Sequence, residues 1–225
     1  MAEQFDLFAD PPPETPKTAP EPPQPETSGP RIQYFDLETQ KSADDVGGWG
    51  NIHKMGLAVG VVWDSVDEDY FTYLEADALK LVDKLKTADL VVGFNVIGFD
   101  YTVLQPYANE KNIDLQEIPT FDMLTDVHKK LNHRLSLNNL AECSLGAQKT
   151  ADGLESLKWY KEFLAGDKAK LDKIVEYCKM DVKITRDLFL FGADHGYVEY
   201  TNRSKTATNR LTVDWKIDSL VKQNR

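Results

Sequence analysis

The chain divides at residue 30, because nine of its eleven prolines precede residue 31. Proline fixes φ and lacks the backbone N–H, so neither a helix interior nor a strand ladder tolerates it at that density. With repeated Glu, Thr and Ala and no periodic apolar face, residues 9–30 read as a disordered spacer. Folding therefore has to begin after residue 30, and 225 residues in all are enough for one full core. The expected division is a tail over residues 1–30 and a single domain over residues 31–225. The formal net charge is −11, and the tail carries six acids and one lysine, leaving −11 − (−5) = −6 for the rest. A passive nucleic-acid coat is basic, which this chain is not. An acidic chain can still process nucleic acid where bound metals neutralise its active centre. No segment resembles a signal peptide or reaches the length of a membrane span. Cys143 and Cys178 lack metal-ligand spacing and read as reduced packing residues, so a cytoplasmic protein is expected, with no membrane partner.

Gln33–Thr39 reads as a buried strand. Ser42–Lys54 is a polar, glycine-rich loop. Its Trp49 could stack on a base or cap the core edge, with packing slightly favoured. Met55–Trp63 is a nearly continuous apolar run, hence a central strand, and Tyr70–Leu74 is its hairpin partner. Ala76–Lys86 has a short amphipathic helical pattern, and Asp89–Phe94 is another buried strand. A helix follows over Phe99–Pro106. Ile118–Phe121 is extended, with Pro119 restricting it to a sheet edge. A helix then runs from Asp122 to about Leu131, and another is capped by Ser136. Lys168–Phe191 is the longest helical stripe, and Arg210–Trp215 a late strand. Strands first, then helices alternating with strands, predict an α/β fold: a mixed sheet with helices packed on it.

Along a strand successive side chains alternate faces, so Asp36 and Glu38 point the same way. Two carboxylates side by side repel unless a cation lies between them or one is protonated. Hard divalent ions prefer oxygen ligands, so this pair is half of a metal site in outline. Taken alone it reads first as a solvated strand end. Asp100, near a helix start, alone reads as a charge complementing exposed amides. Tyr177 and Asp181 share a helix face at i,i+4, an ordinary contact by itself. His133 and Arg134 before the Ser136 cap, and Lys149, Thr150 and Asp152 in a polar loop, could reach a phosphate or simply face solvent.

Together these carboxylates resemble the DnaQ-like 3′–5′ exonucleases of the ribonuclease H-like superfamily, in the Asp-Glu-Asp-Asp-Tyr subgroup. Phe35-Asp36-Leu37-Glu38-Thr39 matches the first motif. Asn95-Val96-Ile97-Gly98-Phe99-Asp100 matches the second, Asn-x-x-x-Phe/Tyr-Asp, and Tyr177-Cys178-Lys179-Met180-Asp181 the third, Tyr-x-x-x-Asp. Glu176 stands where the histidine subgroup carries its histidine. The resemblance covers about residues 31–192. It implies a five-stranded mixed sheet and two Mg²⁺ or Mn²⁺ ions that clamp the scissile phosphate. Asp36 would bridge the ions, Glu38 and Asp181 would complete one site, and Asp100 would support the other. Tyr177 would orient the attacking water, since a phenol with an ordinary pKa near 10 is a poor base at neutral pH. Leu37 would wedge against the terminal nucleotide and Thr39 would hydrogen-bond to it. Asn95 would hold that nucleotide or the second-motif turn, with Phe99, Trp49 and Lys149 as further substrate contacts. The strings Gly93-Phe94-Asn95 and Ser136-Leu137-Asn138-Asn139-Leu140-Ala141 look closest to the exonuclease domains related to family-B polymerases, and a chain of this length leaves no room for a polymerase domain.

Gln4-Phe5-Asp6-Leu7-Phe8 places two large apolar anchors, Leu7 and Phe8, at the end of an acidic leash, as docking peptides do. It resembles the bacterial sliding-clamp-binding motif Gln-Leu-(Ser/Asp)-Leu-Phe, with Phe5 in the second position. The combined expectation is a DNA 3′–5′ exonuclease acting on a 3′ end, taken as single-stranded, and recruited to the clamp during replication or repair. Two rivals share the sequence: an RNA 3′-end trimming enzyme on the same fold, and a catalytically silent clamp-tethered binding module.

Overall fold

The computed structural model describes residues 29–147, 153–202 and 207–224. The spacer before Gly29, the peptide Gln4–Phe8, and Lys149, Thr150 and Asp152 lie outside the described residues.

The first strand, β1 (Ile32–Thr39), is followed by the loop with its short 3₁₀ turn at Trp49–Lys54. Then come β2 (Leu57–Asp64), β3 (Asp69–Leu74), α1 (Ala78–Leu85), β4 (Leu90–Gly93), α2 (Tyr101–Ala108), β5 (Thr120–Asp122) and α3 (Met123–Leu131). The second half contains α4 (Leu137–Leu145), α5 (Gly153–Leu164), α6 (Ala169–His195), β6 (Tyr197–Thr201), β7 (Thr208–Thr212) and α7 (Ile217–Gln223). The main sheet has the order β3-β2-β1-β4-β5. β1 pairs antiparallel with β2 and parallel with β4. This is the expected mixed five-stranded sheet flanked by helices, with the Pro119 strand at its edge.

Alternation along β1 sorts its side chains between two cores. Ile32 and Tyr34 join Val59, Val61, Val92 and the inner face of α6. Phe35 and Leu37 join Leu57, Val62 and Val91 beneath α1 and α2. Continuing the even-numbered series, Asp36 and Glu38 fall on the α6 side. The β1–β4 pairing runs only from Ile32 to Tyr34, so β1 continues beyond its parallel neighbour. The chain turns away at Gly93, where a Cβ would sit 2.7 Å from Val96 Cβ and 3.2 Å from the Phe35 carbonyl oxygen. A side chain there would push the second motif off the strand.

Several elements differ from the sequence reading. The second-motif helix begins with a π turn at Val96–Asp100, ahead of α2, and keeps Pro106 inside α2. The late strand is the second half of a hairpin, β6–β7, in a register that pairs Val198 with Leu211. Its first strand was hidden by half-buried polar residues, and α5 and α7 were also missed. The C-terminal segment docks through Trp215, which stacks on Phe189 at 6.1 Å and donates from Nε1 to Asp126 at 2.8 Å. Gly192 of α6 leaves room for that ring, since a Cβ there would lie 2.3 Å from Trp215 Cε3.

Candidate active site

The end of β1, the turn before α2 and the middle of α6 enclose a cleft of about 670 Å³ lined by Asp36, Glu38, Asp100, Tyr177 and Asp181. One ligand oxygen from each of Asp36, Glu38 and Asp181 lies within 4.8 Å of the others. Glu38 and Asp181 are buried, 8% and 6% exposed, and Asp36 is half-buried. α6 brings Tyr177 and Asp181 to β1 because Ile174, Cys178, Val182, Thr185 and Leu188 form its inward stripe, and positions 177 and 181 border it. Cys178 sits under the strand, its Sγ donating to the Asp36 carbonyl oxygen at 3.4 Å.

Asp100 lines the same cleft but stands outside the three-carboxylate cluster. Its Oδ1 accepts from the backbone N–H of Leu37 at 3.1 Å. That amide is available because β4 has already left β1, so the carboxylate replaces a missing ladder partner. Burial holds the Asp100 carboxyl well above the usual carboxylate range, and the charges of Asp122 and Glu38 add to it. Burial also raises the Tyr177 phenol far above its ordinary value. The charges of Asp181, Glu38 and Asp36 and a hydrogen bond to Asp181 push in the same direction. The Cys178 thiol is raised by burial and then by all four carboxylates. Each of these shifts reports a strongly negative, poorly hydrated pocket. An all-oxygen donor set in such a field suits a hard divalent cation such as Mg²⁺ or Mn²⁺, so the residues present fit the expected metal.

The remaining expected residues separate. Leu37 is buried in the core under α1 and α2 while lining the cleft. Thr39 also lines the cleft, but its hydroxyl donates to the Lys41 carbonyl at 3.0 Å. Asn95 takes a left-handed conformation, φ 68°. Its backbone N–H is held by Asp122 at 2.9 Å, and its Oδ1 accepts from Arg134 at 2.9 Å. It therefore belongs to the turn rather than to the cleft wall. Phe99 does line the cleft. Trp49 is a correction: the slightly favoured packing role fails, because the ring is 71% exposed. It projects at the cleft rim 6.4 Å from the Phe99 ring.

Sequence reasoning missed the contribution of α5. Ser156, 1% exposed, donates to Glu38 Oε2, and Trp159 packs edge-on to Tyr177 at 6.1 Å. Leu154 and Leu157 complete the cleft wall. The signal was present, as Leu157, Tyr160 and Leu164 recur at three- and four-residue steps. Asp122 was seen only as a helix start, yet it caps α3 through Thr125 N–H and also holds the amides of Asn95 and Ile97.

Residues 33–190 match the profile described as the RNase H superfamily. The chain belongs to that superfamily. Its fold is therefore that of an RNase H-like nuclease, and the carboxylate cleft lies within the matched region. Among solved structures it is similar to the family B DNA polymerase from the hyperthermophilic archaeon Pyrobaculum calidifontis, with a TM-score of 0.53 and 19% identity. That likeness covers 74% of this chain and 24% of the polymerase, so the chain spans about a quarter of its length. It is a likeness of fold. A search of the curated proteins returned no match. Among the described residues, no helix is long and apolar enough to cross a membrane.

Proposed function

We propose that this RNase H superfamily member is a metal-dependent 3′–5′ exonuclease of the Asp-Glu-Asp-Asp-Tyr type. It hydrolyses the last phosphodiester at a DNA 3′ end and releases a nucleoside monophosphate. The observation that carries the reading is the convergence of Asp36, Glu38 and Asp181 oxygens within 4.8 Å, with the Tyr177 hydroxyl bonded to Asp181. Asp36, Glu38 and Asp181 would hold divalent ions, with Asp100 beside them. When bound, such ions supply charge neutralisation at the phosphate and a nucleophilic water. The chain's own residues do the positioning. Ser156 fixes the Glu38 carboxylate, and Trp159 fixes the Tyr177 ring. Tyr177 remains protonated because burial and its carboxylate neighbours oppose the phenolate, so it orients a water and does not abstract its proton.

Residues 4–8 supply the rest of the proposal, as a docking peptide for a bacterial sliding clamp. Tethering makes the second encounter intramolecular, concentrating the nuclease near clamp-bound DNA in the cytoplasm. Leu7→Ala combined with Phe8→Ala should abolish binding to the clamp while leaving cleavage of free oligonucleotides intact. Unchanged clamp binding would remove this part of the proposal. The chemistry is tested with 5′-labelled single-stranded DNA and its RNA equivalent in Mg²⁺ or Mn²⁺, beside Asp36→Ala. A ladder shortening from the 3′ end of DNA, absent with Asp36→Ala, is the expected result. Cleavage of RNA alone would replace DNA as the substrate, and no cleavage of either would end the nuclease reading.

A further inference from the structure

A second groove, of about 540 Å³, adjoins the carboxylate cleft and is lined by Lys41, Lys54, Lys161, Asp45, Tyr160 and Leu164, among others. Lys41 lines both cavities. Its backbone is fixed at the end of the catalytic strand, since its N–H donates to the Met55 carbonyl at 3.1 Å and its carbonyl accepts from Thr39. Lys54 closes the loop side and Lys161 projects from α5. Three lysines and one aspartate thus line a groove on a chain of net charge −11.

These cations are not absorbed by folding. None of the ion pairs among the described residues involves Lys41 or Lys54. Lys161 approaches Asp45 at 3.7 Å, with side chains 65% and 38% exposed, and exposed pairs of this kind contribute little. Asp45 is already engaged by the amide and hydroxyl of Ser42, at 2.9 and 2.7 Å. Leu164, 68% exposed, and the half-buried ring of Tyr160 give the groove an apolar side. Lysines tracking a backbone beside an apolar or aromatic platform are what a single polynucleotide strand requires.

We propose that this groove carries the strand upstream of the scissile bond, with Lys41, Lys54 and Lys161 on successive phosphates and Tyr160 and Leu164 against a base. The inference rests on the nuclease reading for the direction of the strand, but not for the binding itself. It also explains how an acidic domain holds a polyanion: the positive charge is local and directly adjoins the metal-binding carboxylates.

The test is anisotropy of a 5′-labelled single-stranded 12-mer with the full chain. Ca²⁺ is present throughout, because it occupies oxygen sites in a looser geometry than Mg²⁺. Lys54→Ala combined with Lys161→Ala should weaken binding about tenfold at low salt and reduce the slope of log affinity against log salt by about 1.4, two contacts at about 0.7 each. Lys54→Arg combined with Lys161→Arg should retain both affinity and slope. An unchanged slope in the alanine pair, or no binding by the wild-type chain, would overturn the groove. So would full displacement of the 12-mer by a deoxynucleoside monophosphate, which would mark a product pocket. Strand binding that depends on the lysines, without metal-dependent cleavage of any strand, would overturn the nuclease and leave the groove standing.

Discussion

The β1–β2 pair carries buried carboxylates at both ends, about five residues or 17 Å apart along the strand, and the two ends treat them oppositely. At the start of β1, Asp64 is fully buried, yet its Oδ2 accepts from Arg31 at 2.8 Å, Gln33 at 2.9 Å and Lys84 at 2.9 Å. Burial alone would raise its pKa. The bonds from Lys84, the Val66 amide, Gln33 and Arg31 outweigh that and hold the carboxyl below its usual range. At the far end, Asp100 sits among other carboxylates and is raised instead. Asp64 has its counter-charges built into the chain and works as structure. The Asp36–Glu38–Asp181 end gathers acids beside one another, an arrangement that costs folding energy and makes sense where a cation arrives from solution.

The largest expected effect is on activity at the second end. Asp36→Asn or Asp181→Asn should lower kcat by about a thousandfold, the scale of losing a preorganised charge at a transition state, with the melting temperature unchanged or raised. A comparable drop from Asp64→Asn in folded protein would erase the distinction. Asp64→Ala should destabilise by about 2–3 kcal/mol, at or just below the usual range for breaking a buried pair because Arg31 and Lys84 are partly hydrated. Chemical denaturation reads this directly, and activity per folded molecule should hold.

Next in size is the response to metal. Mg²⁺ at a hundred times its Kd should stabilise the wild type by about 2.7 kcal/mol. Asp64→Asn should show the same increment and Asp36→Asn little or none, as measured by denaturation with and without EDTA. In metal-free protein the two ends should titrate in opposite senses. Asp64 has a lowered folded pKa, so its contribution is complete above the unfolded value of 3.8 and is lost as pH falls through the folded value. Asp100 has a raised folded pKa, so stability declines as pH rises from 3.8 towards that higher value. Asp100→Asn should flatten the decline on the alkaline side and Asp64→Asn the acid limb. Each pKa unit of difference corresponds to about 1.4 kcal/mol. The smallest effect is Tyr177→Phe, expected to reduce kcat about tenfold with little change in KM, as loss of water orientation without loss of charge.

Much of this was legible in one dimension. Period-two alternation placed Asp36 and Glu38 on one face, and the three- and four-residue stripe of α6 placed Tyr177 and Asp181 at its edge. Backbone geometry fixes both periodicities, whatever surrounds them. Asp122 was misjudged for the opposite reason. One carboxylate caps its own helix and also holds a turn 27 residues earlier, and only the helix cap leaves a local mark. Trp49 was misjudged because a large aromatic near a core edge is ordinarily packed, and the loop's conformation was not available to exclude it.

By itself the sequence determined the mixed sheet and which carboxylates stand at element ends, because side-chain period and carboxylate spacing are local properties. Only the tertiary structure decided that Asp36, Glu38 and Asp181 share one small volume while Asp100 turns to the Leu37 amide. It alone brought Ser156 and Trp159 from α5 behind them and set Lys41, Lys54 and Lys161 around one groove. These residues lie far apart along the chain, and nothing local links them. The physical reason is burial: β1 must cover its two faces with different helices, and the helix that covers the Asp36 face brings Asp181 and Tyr177 with it.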